Sequence, residues 1–307
     1  MTETSDGGHA AHGPWMCHHH PNRLMRVYFL VSLLGLSLLM PVLSAQTLPA
    51  QSAQDLVRDV IYNGLHDTER DLAWEFYSHR ITPGKDTLRD EIETPRGPLY
   101  RALEQDGKPL DADQQKKEDA RLSELAESPS ELARLRRDHD ADDDRLRSLM
   151  KMMPDAFLYS YDGVPEGDRV RLAFRPNPAY SPNTYEARVA HELTGTMVVN
   201  LKQKRMISMR GALMAQVDFG FGLLGHVDKG GTFAVERVQV SPAHWKTSLI
   251  EVHVRGKILL FSSMSRDQKE SRWGFHELPA DVSFPQVKEI LDRATIPADA
   301  ETVADGH

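Results

Sequence analysis

From Ala156 onward the sequence is a succession of short segments in which apolar and polar residues alternate. This feature limits the possible folds more than any other, because it extends over much of the 307-residue chain. Val170, Leu172 and Phe174 alternate with polar neighbours, and Lys229-Gly230-Gly231 is one of several turn signals. Short strands separated by such turns are typical of antiparallel meanders. The further predicted strands are Gly195–Leu201, Met206–Met209, Met214–Phe219, Phe233–Val240, Ser248–Val254 and Ile258–Ser262.

The part of the chain before this region begins with an amphipathic helix. Its apolar residues have the spacing of a helix with one buried face, and they are Ala53, Leu56, Val57, Val60 and Ile61. Strands are predicted next around Trp74–His79, over Thr87–Thr94 and over Leu99–Gln105. A capped segment with an apolar stripe, Ser283–Arg293, predicts a short closing helix.

A highly charged segment separates the two strand regions. Residues 111–151 contain 12 acidic and 9 basic residues among 41, with leucines at roughly helical spacing. Asp111 is the predicted cap of one helix, and Ser128 followed by Pro129 predicts the start of a second. We expect residues 111–153 to form a helical insertion outside the main sheet, with few contacts to the core.

The N-terminal region resembles a secretory signal. Arg23 and Arg26 precede the apolar run Val27–Met40, and Pro41 is followed by small residues up to Ala45. Cleavage after Ala45 is predicted, and an uncleaved membrane anchor is the alternative. We therefore expect a secreted or periplasmic protein that contacts a membrane only through this region or peripherally. The predicted organisation is a removed segment 1–45, one domain over 46–297 and a disordered tail over 298–307.

Composition and motifs exclude several classes of function. The net charge of −8 argues against a nucleic-acid-binding protein. Cys17 is the only cysteine, so an internal disulfide and a cysteine-based zinc cage are impossible. His191-Glu192 lacks the second histidine of a zinc protease motif. Asp138–Asp144 lacks the glycine and glutamate of a calcium-binding EF-hand loop. We predict no catalytic residue, no metal site and no cofactor.

One apolar segment is the candidate binding element. Phe219–Gly225 places large residues between glycines, shortly after three methionines. Glycine lets a sheet bend or a ligand approach the backbone, and methionine lines adaptable apolar surfaces. The predicted ligand-binding residues are Met206, Met209, Met214, Phe219, Phe221, Leu223 and Leu224. The alternative interpretation is ordinary core with a glycine bend.

The order of these elements resembles a family of cell-envelope proteins. The segment GTMVVNLKQKRMISMRG, Gly195–Gly211, is similar to the strand–turn–strand of the LolA/LolB lipoprotein carriers and of the related RseB stress-sensor domain. The likeness is strongest over Gly195–Leu278. The resemblance implies an α+β fold in which a curved antiparallel sheet, an incomplete barrel, folds over helices and holds acyl chains in its gap. An N-terminal helix, the charged helical insertion and a short C-terminal helix complete this expectation.

The expected function is therefore non-catalytic binding of an apolar ligand in a groove of the curved sheet. The expected partners are lipid or lipoprotein acyl chains, or another envelope protein. One alternative is a regulatory or scaffold protein whose sheet binds other proteins. A second alternative is a hydrolase that uses dispersed carboxylates and histidines.

Overall fold

A computed structural model describes residues 48–67, 71–219, 225–258 and 266–300, all within the compact unit Gln46–His307. The described helices are α1 (Ala53–Leu65), α2 (Ala112–Glu127), α3 (Pro129–Ala156), α4 (Tyr185–His191) and α5 (Phe284–Leu291). The strands of the first half are β1 (Ala73–Thr82), β2 (Lys85–Thr94), β3 (Gly97–Gln105), β4 (Lys108–Pro109), β5 (Phe157–Tyr161), β6 (Arg169–Pro176) and β7 (Leu193–Asn200). The later strands are β8 (Arg205–Leu213), β9 (Val217–Phe219), β10 (Gly225–Val227), β11 (Thr232–Gln239), β12 (Trp245–Val254), β13 (Gly256–Ile258) and β14 (Arg266–Leu278).

Two parts of the predicted organisation lie outside these residues. The predicted signal segment, 1–45, is not among the described residues, and the predicted tail is described only as far as residue 300. Within the described part of the chain, no helix combines the length and apolarity needed to cross a bilayer.

The helix caps predicted at Asp111 and Ser128 are confirmed, and α1 begins at a further cap that was not predicted. Ser52 caps α1 and accepts a hydrogen bond from the Asp55 amide at 3.1 Å. Asp111 and Gln114 form a reciprocal capping box at the start of α2. Ser128 caps α3, with Pro129 in its first turn. A capping interaction joins residues only three positions apart, so the local sequence is enough to predict it.

The main sheet is antiparallel and open, with 11 strands in the order β4-β3-β2-β1-β14-β12-β11-β8-β7-β6-β5. The expected α+β class and antiparallel sheet are therefore confirmed. Two meanders, β1–β4 and β5–β12, meet through β14, which pairs with β1 on one side and β12 on the other. A smaller sheet joins β13, β10 and β9.

The sequence pattern does not predict strand β14. This strand is 13 residues long and pairs with β1 from Ala73↔Leu278 to Ile81↔Lys269. Its sequence, RDQKESRWGFHEL, lacks a regular apolar alternation because charged residues occupy both faces of its first half. The strand that joins the two meanders therefore looks like a polar loop in the sequence.

Two glycines allow a close approach within the late meander. Gly195 of β7 lies directly opposite Gly211 of β8. A Cβ atom on Gly195 would lie 1.9 Å from the carbonyl oxygen of Arg210, and one on Gly211 would lie 2.7 Å from the ring of Phe233. Any side chain at these positions would displace backbone or an aromatic ring, so glycine is required here.

Three apolar clusters form the core of the described residues. The first packs α1 against β5–β8, the second joins β1–β3 to α2 and α5, and the third surrounds the small sheet. Leu122 of α2 is 2 % exposed and belongs to the second cluster, with Ile92 and Leu99 of the main sheet. Met150 and Met153 of α3 pack against the first cluster. Residues 111–153 are helical, as predicted, and their few apolar residues dock these charged helices on the core.

A short helix that the sequence pattern does not predict precedes β7. α4 spans Tyr185–His191, and Thr184 caps it by accepting a hydrogen bond from the Ala187 amide at 3.1 Å. His191 ends this helix, and its Nε2 lies 3.0 Å from the carbonyl oxygen of Asn177. His191, the histidine of the incomplete zinc protease motif, therefore contacts the backbone and has a structural role.

Candidate ligand-binding face

A single row of directly paired residues crosses ten strands of the main sheet. Directly opposed residues in antiparallel strands project from the same side of a sheet. The row is Tyr161, Leu172, Met197, Met209, Val235, Ile250, Glu270, Arg80, Thr87 and Gln105. We call the side of the sheet that carries this row the inner face. Its character changes from apolar to charged between Ile250 and Glu270.

The first part of the inner face is covered by helix. Leu56, Val57 and Val60 of α1 are buried in one cluster with Leu172 and Met197 of the sheet. At about 25 cal/mol per Å² of apolar area, this contact accounts for the docking of α1 on the sheet. The helix-covered part therefore belongs to the core.

The middle of the inner face is apolar and only half-buried. Phe233, Val235, Ile250 and Val252 lie on β11 and β12, and we call them the apolar strip. Phe233 packs against the first cluster from its margin. The other three belong to none of the core clusters that the described residues form. The apolar strip therefore continues the helix-covered core as a partly open surface.

Next to the strip, the inner face carries a buried charge network. Glu270 has a side chain only 6 % exposed and accepts a hydrogen bond from Arg272 Nε at 2.6 Å. Arg80 Nε lies 3.7 Å from the same carboxylate, and Arg80 Nη2 donates to Gln268 at 3.1 Å. Buried charges require such partners, since an unpaired one is costly to desolvate. The network fixes Arg80 at the border between the apolar and charged parts.

The pKa values of two more carboxylates on the inner face shift in opposite directions. Burial raises the pKa of Glu91, and the nearby Arg272 opposes this only in part. Ser78 Oγ donates a hydrogen bond to Glu91 at 3.0 Å. Burial also acts to raise the pKa of Glu93, but Lys246 at 3.0 Å and Arg272 outweigh it, so that pKa lies below its usual value. The basic side chains therefore hold Glu93 in its charged form.

Two cavities adjoin the charge network and share Arg80 and Thr82 as walls. The larger has a volume of about 470 Å³ and is lined by Arg80, Thr82, Pro83, Val254, Arg255, Asp267 and Gln268. The smaller has a volume of about 240 Å³ and is lined by Arg80, Thr82, Lys85, Thr87 and Arg89. We call them together the basic cavity, because four of these side chains are basic and one is acidic.

Two buried polar atoms of the basic cavity have no hydrogen-bond partner. They are Thr87 Oγ1 and Arg89 Nε. The guanidinium of Arg89 stacks over the ring of Tyr100 at 4.3 Å, which restrains its orientation. Within the described part of the chain, no carboxylate forms an ion pair with Arg89. Buried polar groups are normally satisfied, so these two atoms mark a place that a ligand would complete.

The four residues of the predicted set that the structure describes do not form one surface. Met206 and Met209 lie in the helix-covered part of the inner face, and Met209 is 8 % exposed. Met214 lies just beyond β8 and is 54 % exposed. Phe219 belongs to the third cluster. The remaining three predicted residues, Phe221, Leu223 and Leu224, lie outside the described residues.

Phe219 is a core residue of the small sheet. It is 1 % exposed, packs with Leu213 and Val217, and makes an edge-to-face contact with Tyr185 at 5.0 Å. Phe219 is the one large residue of Phe219–Gly225 that the structure describes. Its environment matches the alternative interpretation, in which this segment is ordinary core.

The residues of the basic cavity are absent from the predicted set, although a signal for them exists. Lys85, Thr87 and Arg89 occupy alternate positions of β2, so the period of two places them on one face. Val235 and Ile250 lie within predicted strands, but only the pairing of β11, β12 and β14 places them beside Arg80.

Comparison with known protein families and with curated proteins gives no match for this chain. Among the described residues, no group of three or more His, Cys, Asp or Glu side chains is arranged to hold a metal ion. The function is therefore inferred from the chemistry of the inner face.

Proposed function

We propose that this protein binds a lipid-like ligand on the inner face of its sheet, without catalysis. The observation that carries the proposal is the row from Met209 through Val235 and Ile250 to Glu270 and Arg80. An apolar strip that ends at a polar, basic cavity is complementary to a molecule with an acyl chain and a polar head.

The apolar strip provides the free energy for binding the chain. Each methylene moved from water to an apolar surface contributes about 0.8 kcal/mol, so four buried methylenes contribute about 3 kcal/mol. Half-buried Val235, Ile250 and Val252 already present this surface, and Phe233 borders it. Such binding needs no nucleophile, acid or base.

The resemblance to the LolA/LolB and RseB proteins supports the same proposal. In this interpretation the open 11-stranded sheet is curved as an incomplete barrel, and α1 fills part of its interior. Acyl chains of a lipid or of a lipidated protein occupy the remaining part, beside α1. The predicted signal segment places this activity in the periplasm or outside the cell.

A pair of valine substitutions on one strand tests the proposal. Val235→Ser removes apolar surface from the strip, while Val238→Ser makes the same change at a residue that is 41 % exposed at the end of β11. The loss of about two methylene equivalents predicts that Val235→Ser weakens binding of a fluorescent fatty-acyl probe roughly tenfold. Val238→Ser should bind as the wild type does.

The outcome is read by fluorescence titration, with circular dichroism to verify that both variants are folded. Failure of the wild-type protein to bind the probe would rule out the proposal. Equal weakening by both substitutions would show that the effect is not specific to the strip.

A further inference from the structure

We propose that the basic cavity binds a phosphoryl group, which identifies the polar head of the ligand. The inference rests on the proposed lipid function only in assuming that an acyl chain is attached to the phosphoryl group. The residues that carry the inference line the smaller part of the basic cavity, and they are Arg80, Thr82, Lys85, Thr87 and Arg89.

The first argument is the balance of charge. The chain carries a net charge of −8, yet Arg80, Lys85, Arg89 and Arg255 line the cavity together with one carboxylate, Asp267. Glu270 engages Arg80, whereas Arg89 has no carboxylate partner among the described residues. A locally cationic pocket in an acidic protein selects an anion.

The second argument is the arrangement of donors. Arg89 Nε is buried and lacks a hydrogen-bond acceptor, and the hydroxyl of Thr87 beside it is also unsatisfied. Lys85 adds an ammonium at the same cavity. A phosphoryl group has at least three acceptor oxygens, so it can satisfy these donors together, whereas a carboxylate has two.

The third argument is that neighbouring side chains hold the arginines of the cavity in place. Tyr100 lies under the guanidinium of Arg89 at 4.3 Å and also under that of Arg121 at 4.4 Å. Gln268 accepts a hydrogen bond from Arg80 at 3.1 Å. Arginine side chains held in this way lose less conformational freedom on binding, which favours a defined anion site over a diffuse basic surface.

The test compares ligands with the same chain and different heads. Dodecyl phosphate and the neutral dodecyl maltoside are titrated calorimetrically into the wild-type protein, below their micellar concentrations. We expect dodecyl phosphate to bind about tenfold tighter or more, because charge-assisted hydrogen bonds are among the strongest polar contacts. The preference should decrease as the salt concentration rises.

Three substitutions test whether the preference for dodecyl phosphate over dodecyl maltoside arises in the basic cavity. Arg89→Gln should remove most of it, and Lys85→Gln, at an exposed side chain of the β1–β2 hairpin, should reduce it without risk to folding. Arg175→Gln removes the same charge from an exposed position of β6 on the opposite side of the sheet, and it should retain the wild-type preference. Equal affinity of the wild type for the two detergents overturns the inference. So does an unchanged preference in both Arg89→Gln and Lys85→Gln.

Two further titrations separate this inference from the proposed function and identify the source of the phosphoryl group. Binding of inorganic phosphate, without binding of either detergent, supports the cavity and rejects the lipid function. Equal binding of both detergents supports the lipid function and rejects the cavity. Co-sedimentation with vesicles of phosphatidic acid, and not with vesicles of the phosphate-free lipid digalactosyldiacylglycerol, identifies the site as one for lipid headgroups. Binding of inorganic phosphate without sedimentation identifies a site for soluble phosphate.

Discussion

Asp90 of β2 makes the stability of this protein depend on pH. Its side chain is 2 % exposed, and its Oδ1 atom has no hydrogen-bond partner. Arg101 lies directly opposite on β3 but pairs with Asp119 and Asp292 instead. Burial therefore raises the pKa of Asp90 to about 7, and the nearby Glu75 adds repulsion. Asn at this position would keep the shape of the side chain and remove the ionisation.

The sign and size of the effect follow from the two pKa values. The folded-state pKa of about 7 lies above the ordinary value of 3.8, so the folded protein retains the proton that the unfolded chain releases. The contribution to stability is complete below about pH 4 and is lost as the pH rises to about 7. At about 1.36 kcal/mol per pKa unit, the difference between the two pKa values corresponds to roughly 4 kcal/mol of unfolding free energy. This is a large part of the stability of a typical domain.

Urea unfolding of the wild type and Asp90→Asn, at several pH values from 4 to 8, measures this difference directly. The variant should gain stability relative to the wild type as the pH rises, by roughly 4 kcal/mol in total. Titrating groups that do not interact with Asp90 are common to both proteins and cancel. Asp168→Asn, at an exposed turn residue, is the matched control and should show no such trend. A constant difference between wild type and Asp90→Asn across this range would refute the reasoning.

Two other predictions concern the core and the N-terminus. Leu122→Ala should reduce the free energy of unfolding by about 2–5 kcal/mol, because Leu122 is buried against the sheet. Leu146→Ala is the control, and it should cost far less because Leu146 is 51 % exposed. Similar losses for the two variants in chemical denaturation would contradict the docking of α2. N-terminal sequencing of protein from the envelope fraction should begin at or near Gln46, and a cytosolic protein that begins at Met1 would disprove export.

The sequence by itself determined the features that depend on neighbouring residues. The start of α1, the caps at Asp111 and Ser128, and the positions of β2 and β3 were predictable, because capping and side-chain alternation act over a few residues. The antiparallel class followed from the succession of short strands and turns. The pattern could not indicate that the charged helices α2 and α3 dock on the core, since so few of their residues make the contact.

Only the tertiary structure decided which strands meet and which side chains share a surface. β14 looks like a polar loop in the sequence, yet its pairing with β1 and β12 places Glu270 between Arg80 and Ile250. The same pairing assembles the inner face from residues nearly 200 positions apart. Burial is equally non-local, so the local pattern around Phe219 could not distinguish a groove wall from core. Register and burial are set by long-range contacts, and no local period in a chain encodes which distant strand will lie beside it.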